Sequence, residues 1–127
     1  GGPSVTWSSC AAAKCLTVYV APWCGVCRAS TEFLKVFVSA MERAGVPSRV
    51  VVGLGAPDAV AEYARDFGPA ALLDPGGKVP LAGGVPQFIV TSSDGRILKR
   101  QPGVPRIIEP PVPEEDVRGL ASHLGLM

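Results

Sequence analysis

The chain contains no asparagine, and with it no acceptor for N-linked glycosylation. Its one histidine, His123, stands alone near the C-terminus and reads as non-catalytic. There is no nucleophile–base triad, no phosphate-binding glycine loop and no metal-ligand box. Aromatic residues are few, and the formal net charge is only +1, with both signs scattered. That balance argues against a nucleic-acid surface, which usually carries a basic stripe. No run approaches the roughly 18 apolar residues of a membrane span. The opening "GGPSVTWSSC" lacks the basic start and apolar middle of a signal peptide. Its leading Gly-Gly leaves an upstream signal or anchor open. Four cysteines in 127 residues are too few for a disulfide-built miniprotein. The length is enough for one domain with a real core.

What is present has a clear order. Residues 1–13 are small and polar without a period and read as an N-terminal arm, with 14–127 as a single domain. "CLTVYVA" (15–21) is apolar and β-branched, the pattern of a buried strand. Behind it the period changes. Phe33, Val36, Phe37, Ala40, Met41 and Ala44 recur at helical spacing, and Gly45 and Pro47 end the pattern. One helix from about Cys24 to Ala44 is expected. "RVVVGL" (49–54) is a second buried strand. Asp58 is placed to cap a second helix bearing Val60, Tyr63, Ala64 and Phe67 on one face, with Gly68 ending it. "AALL" (70–73) reads as a short strand and "DPGGK" (74–78) as a turn. "PQFIVT" (86–91) and "RILKRQ" (96–101) pair through the hairpin residues "SSDG". Pro110, Pro111 and Pro113 exclude regular structure, and Glu114, Glu115 and Asp116 favour a final helix start. The early βαβ order implies parallel pairing with a right-handed crossover. The fold class is α/β: a central mixed sheet of four to five strands, with helices on both faces.

Two cysteines sit where chemistry is favoured. Cys24 directly follows the first strand and opens the first helix. Free N–H groups at a helix start, together with the helix dipole, favour an anion there. A thiolate is an anion and the nucleophile of disulfide exchange. Such settings lower a cysteine pKa from about 8.5 to roughly 3.5–7.5. Cys27 lies three residues on, on the same face, and can close a small ring with Cys24. The expected roles are Cys24 as the attacking thiol and Cys27 as the resolving thiol.

"APWCGVC" resembles the active-site motif of the thioredoxin superfamily, and "GGVPQFIV" resembles that family's cis-proline loop. The wider match, over roughly residues 14–104, is to the bacterial thioredoxin-like thiol–disulfide oxidoreductases of the cell envelope. That group includes the proteins that keep apocytochrome c thiols reduced. The resemblance implies a thioredoxin-like fold with Pro86 beside Cys24. Trp23, Gly25, Val26, Val85 and Pro86 would then form the substrate-binding surface, the Val85 backbone pairing with an extended peptide. It also implies protein substrates with cysteine pairs, an upstream thiol electron donor or acceptor, and a monomer. No organic cofactor is needed beyond the redox-active disulfide Cys24–Cys27, and no metal. The expected location is the cell envelope or periplasm, with the cytoplasm as the alternative. Three departures stand out. Val18 occupies the position of thioredoxin's buried acid, the dipeptide between the cysteines is Gly-Val rather than Gly-Pro, and the segment before "GGVPQF" is short.

Cys10 and Cys15 leave three readings: a local disulfide tying down the arm, two free structural thiols, or a second redox pair exchanging with Cys24–Cys27. A four-cysteine zinc site has the wrong spacing, since such sites usually use two short knuckles. Arg28 reads as a solvated helix residue ahead of a thiolate partner. Tyr19 and the Phe33–Met41 face read as packing, and Trp23 as a wall of the site. A protein-reducing oxidoreductase is the function expected. A disulfide-installing oxidant, a thioredoxin-like binding module with little turnover, and a domain in which the Cys24–Cys27 disulfide is permanent and structural are the alternatives.

Overall fold

A computed structural model describes residues 7–127; the first six residues of the expected arm lie outside the described residues. The elements are strands β1 (Lys14–Val20), β2 (Ser48–Gly53), β3 (Leu72–Asp74), β4 (Gln87–Ser92) and β5 (Ile97–Pro102), and helices α1 (Gly25–Ala29), α2 (Thr31–Arg43), α3 (Pro57–Ala64) and α4 (Glu114–His123). The five strands form one mixed sheet in the order β3-β2-β1-β4-β5. β1 runs parallel to β2 and antiparallel to β4. β3 is parallel to β2, and β5 closes an antiparallel hairpin with β4. No helix among the described residues is long and apolar enough to cross a membrane.

β1 is central because its sequence suits burial on both sides: from Cys15 to Val20 every residue is fully buried. Leu16, Val18 and Val20 face one way and join Val50, Val52, Phe88 and Val90 in the main core. Phe33, Leu34, Phe37 and Met41 of α2, Val60 and Tyr63 of α3, and Val117 and Leu120 of α4 pack into the same cluster. Each such side chain contributes about 1.5–3 kcal/mol of burial. Phe37 meets Phe88 edge-on, with ring centres 5.8 Å apart.

The opposite sheet face carries Tyr19, Val51, Leu72 and Ile89, covered by Trp7, Val79, Leu81 and Val85. No helix supplies a buried residue there among the described residues. Helices were expected on both faces, but coil covers the second one. Two consecutive right-handed crossovers, β1 to β2 and β2 to β3, step in the same direction and so leave their helices on the same side.

Three local expectations are also corrected. The long helix is broken at Ser30, which lies between α1 and α2 with φ −103° and ψ 4°. The Ser30 N–H is shared between the Val26 and Cys27 carbonyls, and the Thr31 hydroxyl donates to the Cys27 carbonyl at 3.1 Å. A side chain inserted into the ladder in this way bends a helix. Val36 and Ala44 face outward, while Leu34 takes a core position. Asp58 does not cap α3: the helix starts two residues earlier, after Ala56, with Pro57 in its first turn. Proline's fixed φ and missing N–H suit that position. The Asp58 carboxylate accepts instead from the Ala59 N–H at 3.0 Å.

The stop after α2 is as expected. Gly45 adopts φ +87°, the Gly45 N–H reaches the Glu42 carbonyl, and the Val46 N–H reaches the Met41 carbonyl at 2.9 Å. This is a Schellman closure, for which glycine is the favoured residue.

Candidate functional site

The strand-to-helix junction after β1 forms as a tight turn, with the Cys24 N–H donating to the Ala21 carbonyl at 3.1 Å. Cys24 caps α1 from an extended conformation. Its sulfur accepts the Cys27 N–H at 3.0 Å. Cys24 and Cys27 are paired as a disulfide, with Cα atoms 5.2 Å apart. Cys24 retains 6% exposure and Cys27 none. The first sulfur is therefore the one a partner can reach, and it carries a backbone donor aimed at it. When the bond is reduced, that donor favours a thiolate at Cys24 over one at Cys27.

The loop before β4 supplies the other wall. The Val85–Pro86 peptide bond is cis. The Val85 carbonyl oxygen lies 3.5 Å from the Cys24 sulfur. The structure thus brings residues 61 positions apart in sequence to one point, as the motif pair implied. Trp23 stands 64% exposed beside the pair, and its indole N–H donates to the Leu54 carbonyl at 2.5 Å. Val26 is exposed on the same helix start, while Gly25 has nothing within 4 Å of where a Cβ would stand.

Several residues shape the site that spacing did not single out. Arg28 is exposed, as expected of a solvated helix residue, but its side chain is also engaged. Its Nε donates to the Pro22 carbonyl at 2.7 Å, and its guanidinium lies 4.5 Å from the centre of the Tyr63 ring. It braces the turn that presents Trp23 and Cys24. Tyr19 packs as expected, but its hydroxyl also donates to the Asp74 carboxylate at 2.8 Å. Burial pushes the Tyr19 phenol well above its ordinary value, reinforced by the Asp74 hydrogen bond and charge. Asp74 also accepts the N–H groups of Lys78 and Val79, so it organises the turn after β3. Leu54, which holds the Trp23 indole, has φ +60°, an uncommon conformation for a branched side chain. No sequence signal marked Leu54. Asp74 at the head of "DPGGK" was a turn signal only.

Cys10 and Cys15 are also paired, with Cα atoms 5.7 Å apart. Cys15 lies at the start of β1 and Cys24 beyond its end. The strand between spans roughly 16 Å at about 3.3 Å per residue. The two pairs therefore cannot exchange directly in this conformation, nor can the four sulfurs converge on one zinc ion. Of the three readings of Cys10 and Cys15, the local disulfide is the one seen. It anchors residues 7–13, whose Trp7 carbonyl accepts from the Thr17 hydroxyl at 3.1 Å and from the Arg49 guanidinium at 2.6 Å. Arg49 also donates to the Ser9 carbonyl.

This topology, with a cysteine pair at the β1–α1 junction and a cis-proline loop facing it, is the thioredoxin fold. Solved structures agree. The chain aligns with a secreted disulfide oxidoreductase of Mycobacterium tuberculosis, homologous to E. coli DsbE, at 16% identity over 90% of this chain and 81% of that one, with a TM-score of 0.59. The thioredoxin domain of a thiol-disulfide oxidoreductase from Bacteroides vulgatus aligns at 15% identity over 87% and 79%, with a TM-score of 0.59. The N-terminal domain of PilB from Neisseria gonorrhoeae aligns at 15% identity over 97% and 86%, with a TM-score of 0.63. No protein-family model matches the sequence, and the search of curated proteins found no match.

Proposed function

We propose that this chain is a thiol–disulfide oxidoreductase that reduces cysteine pairs in protein substrates. One observation carries the reading: the more accessible sulfur, Cys24, accepts a backbone N–H and lies beside the Val85 backbone. In the reduced protein the Cys24 thiolate attacks one sulfur of a substrate disulfide. The other substrate sulfur leaves as a thiolate and takes a proton from water. Cys27 then loses its proton and attacks the Cys24 sulfur. The mixed disulfide breaks, the second substrate thiol is released, and two electrons have passed from the protein to the substrate. An upstream dithiol must restore the Cys24–Cys27 pair. No organic cofactor or metal takes part.

Trp23, Gly25, Val26, Val85 and Pro86 form the substrate surface in this reading. A cell-envelope location is proposed with it, supported by the secreted character of the mycobacterial neighbour and by the Cys10–Cys15 disulfide, which suits an oxidising compartment.

Cys27→Ser should accumulate a covalent adduct with a disulfide-bearing substrate, visible on a non-reducing gel, while Cys24→Ser forms none. If Cys27→Ser accumulates no adduct, the assignment of roles is wrong. The direction of flow is read from the reduction potential. A value near −270 mV marks a reductant, and one near −120 mV an oxidant that installs disulfides.

A further inference from the structure

Gln87 follows the cis proline and opens β4 in an otherwise apolar run, yet it is fully buried. A buried amide is costly unless its donors and acceptor are matched. Here they are matched by the loop that leads into the site. The side-chain NH₂ donates to the carbonyls of Ala82 at 2.9 Å and Gly84 at 3.2 Å. The side-chain oxygen accepts the Ala82 N–H at 3.3 Å and the Arg100 guanidinium at 2.9 Å. The same Arg100 nitrogen donates to the Pro80 carbonyl at 2.9 Å. Residues 80–84 make no backbone–backbone hydrogen bond outside these contacts among the described residues. Two side chains from the hairpin therefore hold the segment. On its far side the Gly103 N–H fixes the Pro86 carbonyl at 2.6 Å. Val85 is clamped between, with its carbonyl 3.5 Å from the Cys24 sulfur.

We propose that Gln87, supported by Arg100, is a positioning residue that sets the Val85 backbone for an extended stretch of protein substrate. It would thereby govern the capture of polypeptide disulfides without governing small ones. The proposal rests on the oxidoreductase reading above. A small disulfide needs only the Cys24 sulfur. An extended chain must also align with the Val85 N–H and carbonyl, and such alignment is lost with small displacements.

The test uses the reduced protein and two oxidants: hydroxyethyl disulfide, and a ten-residue extended peptide closed by a Cys pair. Gln87→Glu keeps the acceptors for Ala82 and Arg100 but deletes the donors to Ala82 and Gly84. Arg100→Met, at a half-exposed position, removes the outer support and carries the test if Gln87 variants do not fold. For each variant the half-saturating peptide concentration should rise roughly tenfold, the loss expected for one or two ordering hydrogen bonds. The limiting rate, the rate with hydroxyethyl disulfide and the redox equilibrium constant of the Cys24–Cys27 pair should stay within twofold of the parent. Equal losses with both oxidants, or no change with the peptide, overturn the proposal. Failure of the unmodified protein to react with either oxidant overturns the oxidoreductase reading itself, and is seen before any variant is made.

Discussion

At the scale of single residues, the two tyrosines are the informative titrating groups. Tyr19 is raised above its ordinary value of 10.0 by burial first, then by its bond to Asp74 and the Asp74 charge. Tyr63 is raised by burial, partly opposed by its Thr31 hydrogen bond and by the Arg28 charge. Both folded values exceed the unfolded ones, so the neutral phenols favour the fold. That contribution is complete below pH 10 and is lost as pH rises from there through the folded values. We expect less tyrosinate absorbance near 295 nm around pH 10 in the folded protein than in the unfolded one. The urea midpoint should fall above pH 10, and less steeply in Tyr19→Phe. Normal ionisation of both tyrosines in the folded state would refute this. Gly53 is constrained by the same side chain: a Cβ there would meet the Tyr19 hydroxyl and the Asp74 carbonyl. Gly53→Ala should cost about 1–3 kcal/mol in urea unfolding, the usual range for overpacking.

At the scale of elements, β1 keeps two sulfur chemistries apart. Its start is tied to the arm through Cys10–Cys15, and its end presents Cys24. Replacing both Cys10 and Cys15 by Ser should lower stability by about 2 kcal/mol, the loop-closure estimate for so short a ring. The rate of Cys24–Cys27 exchange with a small disulfide should not move, and a large change would mean that the two ends of the strand are coupled. Helix α1 shows where local pattern reading stops. Apolar spacing from Phe33 onward made a helix legible and Gly45 marked its end. The break at Ser30 comes from hydrogen bonds that compete within one turn, which a period cannot register.

At the scale of the molecule, the sheet is sealed unequally. Helices cover the Leu16–Val18–Val20 face, and coil covers the Tyr19–Val51–Ile89 face. Coil held by a disulfide and a few side-chain bonds should open at lower free energy than packed helices. Hydrogen exchange should be slowest in β1, β2 and β4 and faster over residues 75–86; equal protection would contradict this. The strands, the helix order and the Cys24–Cys27 pair were determined by sequence alone. Burial of apolar runs, glycine stops and the placement of a thiol at a helix start are local effects, written into short stretches. Only the tertiary structure decided the rest. Val85 meets Cys24 and Leu54 holds Trp23 because β1 and β4 lie side by side and β2 ends beside the same turn. Those contacts depend on how distant segments approach one another in space, which no local period encodes.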